Sequence, residues 1–405
     1  MKKLNLRSDY DTSKIGLLLV NLSFSIFSLF VSTFLTAQIF VLSGESFFTL
    51  GVFSLLNFFF IFVFQITGGL ICKKLNPIVV TRLSAVLSFL FLIIVLTLYE
   101  QLIEYYIILG LLWGSITGFY FSSYQFLIAK KSSGEKMLRF VAVYTSIVSV
   151  LQLIFPVTFG LVIYYGSFFD ITMIILFVVI FKVLATFLIK SEPKIEEKTK
   201  LDFKNYFRTL KNSNHLKQTK HLWWIIFLTG FSDTITVLTT AFVMISFGTH
   251  LNLGILISVF AILKIFTSQI YRKYEKSRNF FYRSAIVFPI ISVIMILIFN
   301  EPIFVAIFMG VRNTTRGFIF MEEEKTRLSA TSYFKDGDKF IMESNLFYET
   351  SLASGAVLSS VLLIIIGAFY YEWLILIFLT VTVFSFSLHG LLIKIWQNTK
   401  LPKKD

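Results

Sequence analysis

Residues Lys190–His221 read KSEPKIEEKTKLDFKNYFRTLKNSNHLKQTKH, a polar and mostly basic stretch in a chain whose other parts are dominated by apolar runs. This bridge divides the 405 residues into halves of similar length, and each half breaks into six apolar segments. The segments are 15–42, 46–72, 78–98, 105–128, 140–165 and 170–189 before the bridge, and 222–248, 252–271, 284–299, 302–324, 342–367 and 372–396 after it. Apolar runs of about 20 residues match the ~30 Å hydrocarbon core of a bilayer. With 56% hydrophobic and only 15% charged residues, burial in a water-soluble core is the wrong frame. The expectation is an all-α integral membrane protein of 12 transmembrane helices: an N-terminal bundle over 1–189, a cytoplasmic linker over 190–221 and a C-terminal bundle over 222–405.

The net charge of +14 raises the question of nucleic acid, but the positions of the basic residues answer it. With the N-terminus inside, the outer turns fall near Gly44-Glu45, Glu100–Glu104, Gly166–Phe169, His250, Asn300–Pro302 and Tyr370–Trp373, none of which holds Lys or Arg. The opposite loops hold Lys73, Lys74, Arg82, Lys130, Lys131, Lys136, Arg139, Arg272, Lys273, Lys276, Arg278 and Arg283, besides the bridge. Such asymmetry is the positive-inside rule, so both termini are expected in the cytoplasm of a cell-membrane protein with no nucleic-acid partner. The first apolar run, from Ile15, is too long for a signal-peptide core and reads as a retained span. Within the bridge, Leu201–Leu210 is amphipathic and reads either as a helix on the membrane surface or as a solvated linker.

Metal and cofactor chemistry find little support. Cys72 is the single cysteine and the four histidines are scattered, without acidic partners at ligand spacing. No HExxH and no G-x-x-x-x-G-K-[ST] occurs, so neither zinc hydrolysis nor P-loop ATP hydrolysis is expected, and no cofactor is implied.

The two halves echo one another. Trp113–Phe121 reads WGSITGFYF and Arg312–Phe320 reads RNTTRGFIF, so Gly118, Phe119 and Phe121 match Gly317, Phe318 and Phe320 at one offset. Asn21, Ser25, Ser28 and Ser32 share one helical face of the first run, and Asp233, Thr236 and Thr240 fall opposite Ser25, Ser28 and Ser32 at one offset. A basic loop follows both the second and the eighth runs. Together these favour a duplicated six-span unit.

At this point the chain resembles the major facilitator superfamily, in a divergent branch like those of low-GC Gram-positive bacteria. The resemblance covers nearly the whole length and rests on architecture more than on motifs. The family's loop after the second span usually reads G-x-L-a-D-r-x-G-r-R; here Gly68-Gly69-Leu70-Ile71-Cys72-Lys73-Lys74-Leu75-Asn76-Pro77 keeps the glycines and the basic character, with Lys73 in the acidic place. The Arg typical of the fourth span is replaced by Trp113. Pro156-Val157-Thr158-Phe159-Gly160 keeps the proline and last glycine of the exporters' G-P-x-x-G-G. The resemblance implies two pseudo-symmetric six-helix bundles around a central cavity, which rock to expose a substrate site to each side in turn. It also implies that spans 1, 4, 7 and 10 line the cavity.

Ionisable groups inside these spans are the candidate site, since each costs at least ~2.5–3.5 kcal/mol on insertion scales. Asp233 lies about 16 Å into the seventh span and Arg312 about 15 Å into the tenth, by the 1.5 Å helical rise. Two opposite charges at one depth make a candidate pair for proton or substrate coupling, with Arg316 one turn beyond Arg312 and Glu349 in the eleventh span as a second protonatable group. A permanent salt bridge that only fixes packing is the alternative. Asn21, Ser25, Ser28, Gln125, Gln152, Thr236 and Thr240 are candidate cavity-lining residues, able to bond a substrate or to glue helices together. Lys73, Lys74, Glu322, Glu323 and Glu324 are candidates for a cytoplasmic gate. Lys182, near the inner end of the sixth span, is expected to snorkel to the surface.

The expected function is secondary transport of a small, amphipathic molecule by alternating access, proton-coupled and directed outward, by a monomer rather than by an enzyme. The alternatives are a lipid or glycolipid flippase, or a nutrient uptake permease, on the same fold.

Overall fold

The computed structural model is almost wholly helical and describes residues 12–131, 135–190, 202–212, 216–273, 278–299, 301–315, 341–369 and 388. Six helices precede the bridge: α1 (Thr12–Leu42), α2 (Phe47–Lys74), α3 (Pro77–Thr97), α4 (Tyr106–Lys131), α5 (Glu135–Tyr165) and α6 (Phe168–Thr186). A short helix, Phe203–Asn212, lies within the bridge. Then come α7 (Leu216–Phe247), α8 (His250–Lys273), α9 (Arg278–Phe299), α10 (helical over 302–315) and α11 (Ile341–Phe369). Among the described residues, nine helices are long and apolar enough to cross a membrane, namely α1 to α8 and α11. Of the expected twelfth run, 372–396, all but residue 388 lies outside the described residues.

The helix boundaries follow from local chemistry. Asn76 caps α3, its side chain accepting from the Ile78 amide at 2.9 Å, and Pro77 fills the first helical position, where a missing N–H costs nothing. Ser167 caps α6 by accepting from the Asp170 amide at 3.2 Å while donating to the Asp170 carboxylate at 2.7 Å. Between α1 and α2 the chain reverses through Gly44 and Glu45, both with positive φ. Inside α1 the ladder widens to a π turn over Phe30–Leu35, and the Thr36 hydroxyl takes up the Val31 carbonyl at 2.9 Å.

Two compact units result. The first comprises Met1–Glu45, Leu56–Leu201 and Thr249–Ser258, and the second Ser46–Leu55, Asp202–Gly248 and Val259–Asp405. Both α2 and α8 thus contribute their first turns to one unit and the remainder to the other.

In the first unit α1 packs on α6, and α3 packs on both α4 and α6. The Gly114-Ser-Ile-Thr-Gly118 segment of α4 lies directly on α2: a Cβ at Gly118 would stand 2.6 Å from the Ile61 carbonyl oxygen. This is the small-residue spacing that lets helix backbones touch in a membrane. Gly160, one turn after Pro156 in α5, receives the first turn of α8 in the same way, with a Cβ 2.8 Å from the His250 carbonyl oxygen.

In the second unit the dominant pairing is α7 on α11. Gly230 faces the Leu352 carbonyl and Gly355 faces the Phe227 carbonyl, so the two backbones meet without side chains between them. A hydroxyl seam continues this contact, with Ser359 donating to Thr234 Oγ1 at 2.6 Å.

The bridge helix, Phe203–Asn212, overlaps the amphipathic stretch read from the sequence. Its apolar edge is docked on protein: Tyr206 and Leu210 are buried, and the rings of Tyr206 and Phe207 contact Phe347 of α11. The Asp202 amide donates to the Glu343 carboxylate at 3.1 Å and so ties the helix start to α11. Lys204, Arg208 and Lys211 form the exposed edge. Burial pushes the Tyr206 phenol up to about 12.

Candidate functional site

Two polar clusters lie within the helices, one in each unit. In the second unit the Arg312 side chain, 3% exposed, is seated on α7. Its Nη2 donates to the Ser232 carbonyl at 3.0 Å and to Thr236 Oγ1 at 3.2 Å, and its Nη1 donates to Thr239 Oγ1 at 3.3 Å. Charge-assisted bonds contribute roughly 1.5–3 kcal/mol each, so three of them offset much of the cost of placing a guanidinium in hydrocarbon. The acceptors span the two turns of α7 that carry Asp233, which is half-buried and follows Ser232 directly. Thr240 is buried and donates back to the Thr236 carbonyl at 3.2 Å. Glu349 is half-buried in α11.

In the first unit Asn21 is fully buried, and its Oδ1 accepts from Tyr120 OH at 2.7 Å. Its Nδ2 is buried without a hydrogen-bond partner among the described residues, an expensive state for an amide in a tight bundle. Ser25 donates to the Asn21 carbonyl at 2.9 Å and lies 2.9 Å from Tyr144 OH, so that hydroxyl is left to accept from the phenol. Phe24 stacks on Tyr120 with ring centroids 3.5 Å apart, and Tyr124 also stacks on Tyr120 at 5.5 Å. Trp113 closes the group, 6.1 Å from Phe24 and 5.4 Å from Phe27.

Lys182 overturns the snorkelling expectation, because its side chain is fully buried. The ammonium donates to Ser88 Oγ at 2.9 Å and lies 4.8 Å from the Phe24 ring centroid, 5.7 Å from that of Tyr120 and 5.8 Å from that of Phe27. The direction of the Cα–Cβ bond explains this. Helical side chains tilt toward the helix N-terminus, which for α6 is the end away from the basic loops, so the lysine climbs into the bundle instead of descending to water. Cation–π contacts of this kind are worth about 0.5–2 kcal/mol each, more when desolvated. Ser88 donates onward to the Ser84 carbonyl at 2.7 Å, and Ser84 to the Ile116 carbonyl at 3.0 Å, which links α6, α3 and α4.

Of the other residues singled out in the sequence, Ser28 and Gln152 are half-buried, Thr236 is exposed and Lys74 is exposed at the end of α2. The side chains of Lys73 and Gln125 lie outside the described residues, as do Arg316, Glu322, Glu323 and Glu324. The residues that sequence reasoning missed are Tyr120, Tyr144, Ser88, Ser232, Thr239 and the inward-turned Lys182. Only Lys182 carried a signal, being a charge within an apolar run.

The sequence matches the Major Facilitator Superfamily over residues 15–321. The chain belongs to that superfamily. This major facilitator protein is therefore a multi-pass membrane transporter and not an enzyme, and its fold agrees with solved structures of transporters. It superimposes on a POT family peptide transporter in an autoinhibited state with a TM-score of 0.70 at 9% identity, covering 97% of this chain and 98% of that one. Against a point mutant of the nucleoside transporter NupG the TM-score is 0.65 at 13% identity, with 96% and 100% covered. Against a D-xylose-proton symporter it is 0.65 at 11% identity, with 94% and 95% covered. Identities this low speak for the fold alone. No curated protein matches the sequence of this major facilitator protein.

Proposed function

We propose that this protein moves a small, amphipathic molecule across the cell membrane by alternating access, coupled to protons and directed outward. The observation that carries the coupling is the seating of Arg312 on the Ser232–Thr239 turns beside Asp233. A buried cation held by hydroxyls and a carbonyl, next to a half-buried carboxylate, can change partners when that carboxylate takes up a proton. The Asn21–Tyr120 and Ser25–Tyr144 pairs supply neutral donors and acceptors between aromatic faces, a combination suited to amphipathic cargo. Pro156 and Gly160, retained from the exporters' fifth-span motif, motivate the outward direction.

The second reading is proton-coupled uptake, favoured by the likeness in fold to a D-xylose-proton symporter. Purified protein in proteoliposomes, given an imposed pH gradient and a panel of dyes, drugs, sugars and peptides, tests both. Gradient-driven movement of any of these against its concentration supports coupled transport, and the orientation of the productive gradient assigns the direction. Movement of fluorescent lipid between leaflets, read by dithionite quenching, with no small-molecule transport would instead favour a flippase.

A further inference from the structure

Nothing in the superfamily match or in the Asp233–Arg312 reading gives Lys182 a task. Yet it is a fully buried amine in the heart of the first unit. The helices of that unit offer it no nearby carboxylate. Helices α1, α2, α3 and α4 contain no Asp or Glu, α5 has only Glu135 at its first residue, and α6 only Asp170 in its first turn. Twelve residues separate Asp170 from Lys182, about 18 Å along the helix.

The titratable and charged groups on the elements around Lys182 lie mostly toward the helix ends, including Tyr106, Lys130 and Lys131 of α4 and Glu135, Lys136, Arg139, Tyr164 and Tyr165 of α5. On α1 there is Lys14 at the inner start, and on α3 there is Arg82, whose guanidinium lies 4.9 Å over the Phe187 ring. On α4 there are Tyr120 and Tyr124, and on α5 Tyr144, all in the phenol cluster. Among the described residues, a cation here is held by three ring faces and one hydroxyl instead of by a counter-ion.

We propose that Lys182 is the proton-exchanging positioning residue of the first unit. In one state Nζ carries three protons, donates to Ser88 and attracts the Phe24 and Tyr120 faces. In the other, one proton has passed to a water molecule and on to bulk solvent. The neutral amine keeps a hydrogen bond with Ser88 but loses the electrostatic attraction to the rings. The two states therefore differ in how firmly the Phe24–Tyr120 stack is held, and Tyr120 is the group that orients the buried Asn21 amide. The Asn21 Nδ2, fully buried beside this stack and without a hydrogen-bond partner among the described residues, is the donor whose direction the proton at Lys182 controls. This inference rests on the transport reading for its purpose, but its test requires no substrate.

Trp113, packed on Phe24 and Phe27, is a built-in reporter of the stack. The experiment follows intrinsic tryptophan emission of the purified full chain in detergent from about pH 5 to about pH 9, where a group that titrates in the folded state shows as a sigmoid. Subtraction of the Trp113→Phe trace isolates the Trp113 contribution. The expected result is a single sigmoid in the wild type that is lost in Lys182→Met and in Lys182→Arg, whose guanidinium stays charged throughout. A flat Trp113 trace in the wild type overturns the proposal, and so does a sigmoid that persists in either variant. Should Lys182→Met fail to fold, Lys182→Arg and the wild-type trace decide the matter. Failure of transport in proteoliposomes with the sigmoid intact would count against the transport reading alone.

Discussion

Arg312 Nη2 lies 3.0 Å from the carbonyl oxygen of Ser232, the residue immediately before Asp233. This bond ties the Arg312 guanidinium to the turn of α7 that carries Asp233. Asp233→Asn keeps size and polarity but removes the ionisable group. The expected outcome is loss of gradient-driven transport in proteoliposomes with an unchanged elution profile and melting temperature. Undiminished coupling would leave Asp233 with a packing role only.

The seat of Arg312 is a fork, with two nitrogens bonding three acceptors across two turns of α7. A lysine ammonium is a point donor on a flexible stem and cannot reproduce that geometry. Arg312→Lys is expected to lower the melting temperature modestly and to cut the transport rate at least tenfold, about 1.4 kcal/mol in barrier terms. Arg312→Gln, which leaves the acceptors underused, is expected to cost more on both measures.

Tyr120→Phe keeps the ring stacked on Phe24 while removing the hydroxyl that satisfies Asn21 Oδ1. An acceptor left unsatisfied in a buried site costs about 1–3 kcal/mol. Thermal unfolding in detergent should shift downward accordingly, and Asn21→Leu in the Tyr120→Phe background should recover part of the loss.

The close approaches at glycine predict large effects from small changes. A methyl at Gly355 would land on the Phe227 carbonyl, and one at Gly118 would stand 2.6 Å from that of Ile61. Gly355→Ala and Gly118→Ala are each expected to reduce the folded yield by size-exclusion chromatography. Gly44→Ala, with open space around its Cβ position, is expected to show only the strain of its positive φ.

The bridge helix carries a pH dependence of defined sign. Burial holds the Tyr206 phenol up at about 12, against an ordinary value of 10.0, so the docked helix favours the neutral ring. The resulting stability is fully present below pH 10 and is lost as pH rises toward 12, since the docked state binds the extra proton. Phenolate absorbance of the wild type minus that of Tyr206→Phe should therefore show a midpoint well above that of free tyrosine.

The helical organisation is legible in the sequence because a bilayer demands long apolar runs. The runs 46–72 and 342–367, for example, correspond to helices Phe47–Lys74 and Ile341–Phe369. Asn21, Ser25 and Asp233 are legible as polar groups in an apolar solvent. Their partners are not. Tyr120 and Tyr144 are two of 17 tyrosines in a chain with 49 phenylalanines, and nothing local distinguishes a phenol that meets Asn21 from one at an interface. Lys182 defeats a reading that weighs distance to the nearest helix end and ignores the direction of its Cβ. For the bridge helix, amphipathicity reveals an apolar edge but cannot say whether lipid or α11 covers it, and Phe347 and Glu343 are far off in sequence.

Alternating access itself is tested most directly by spin-label distances between the α3–α4 and α9–α10 loops. Nitroxides at Glu104→Cys and Glu301→Cys, in a Cys72→Ser background, report on one loop of each unit. The account predicts two distance populations whose ratio shifts with pH, and a single population when Asp233→Asn is added. One distance that stays fixed across pH in the otherwise native protein would contradict it.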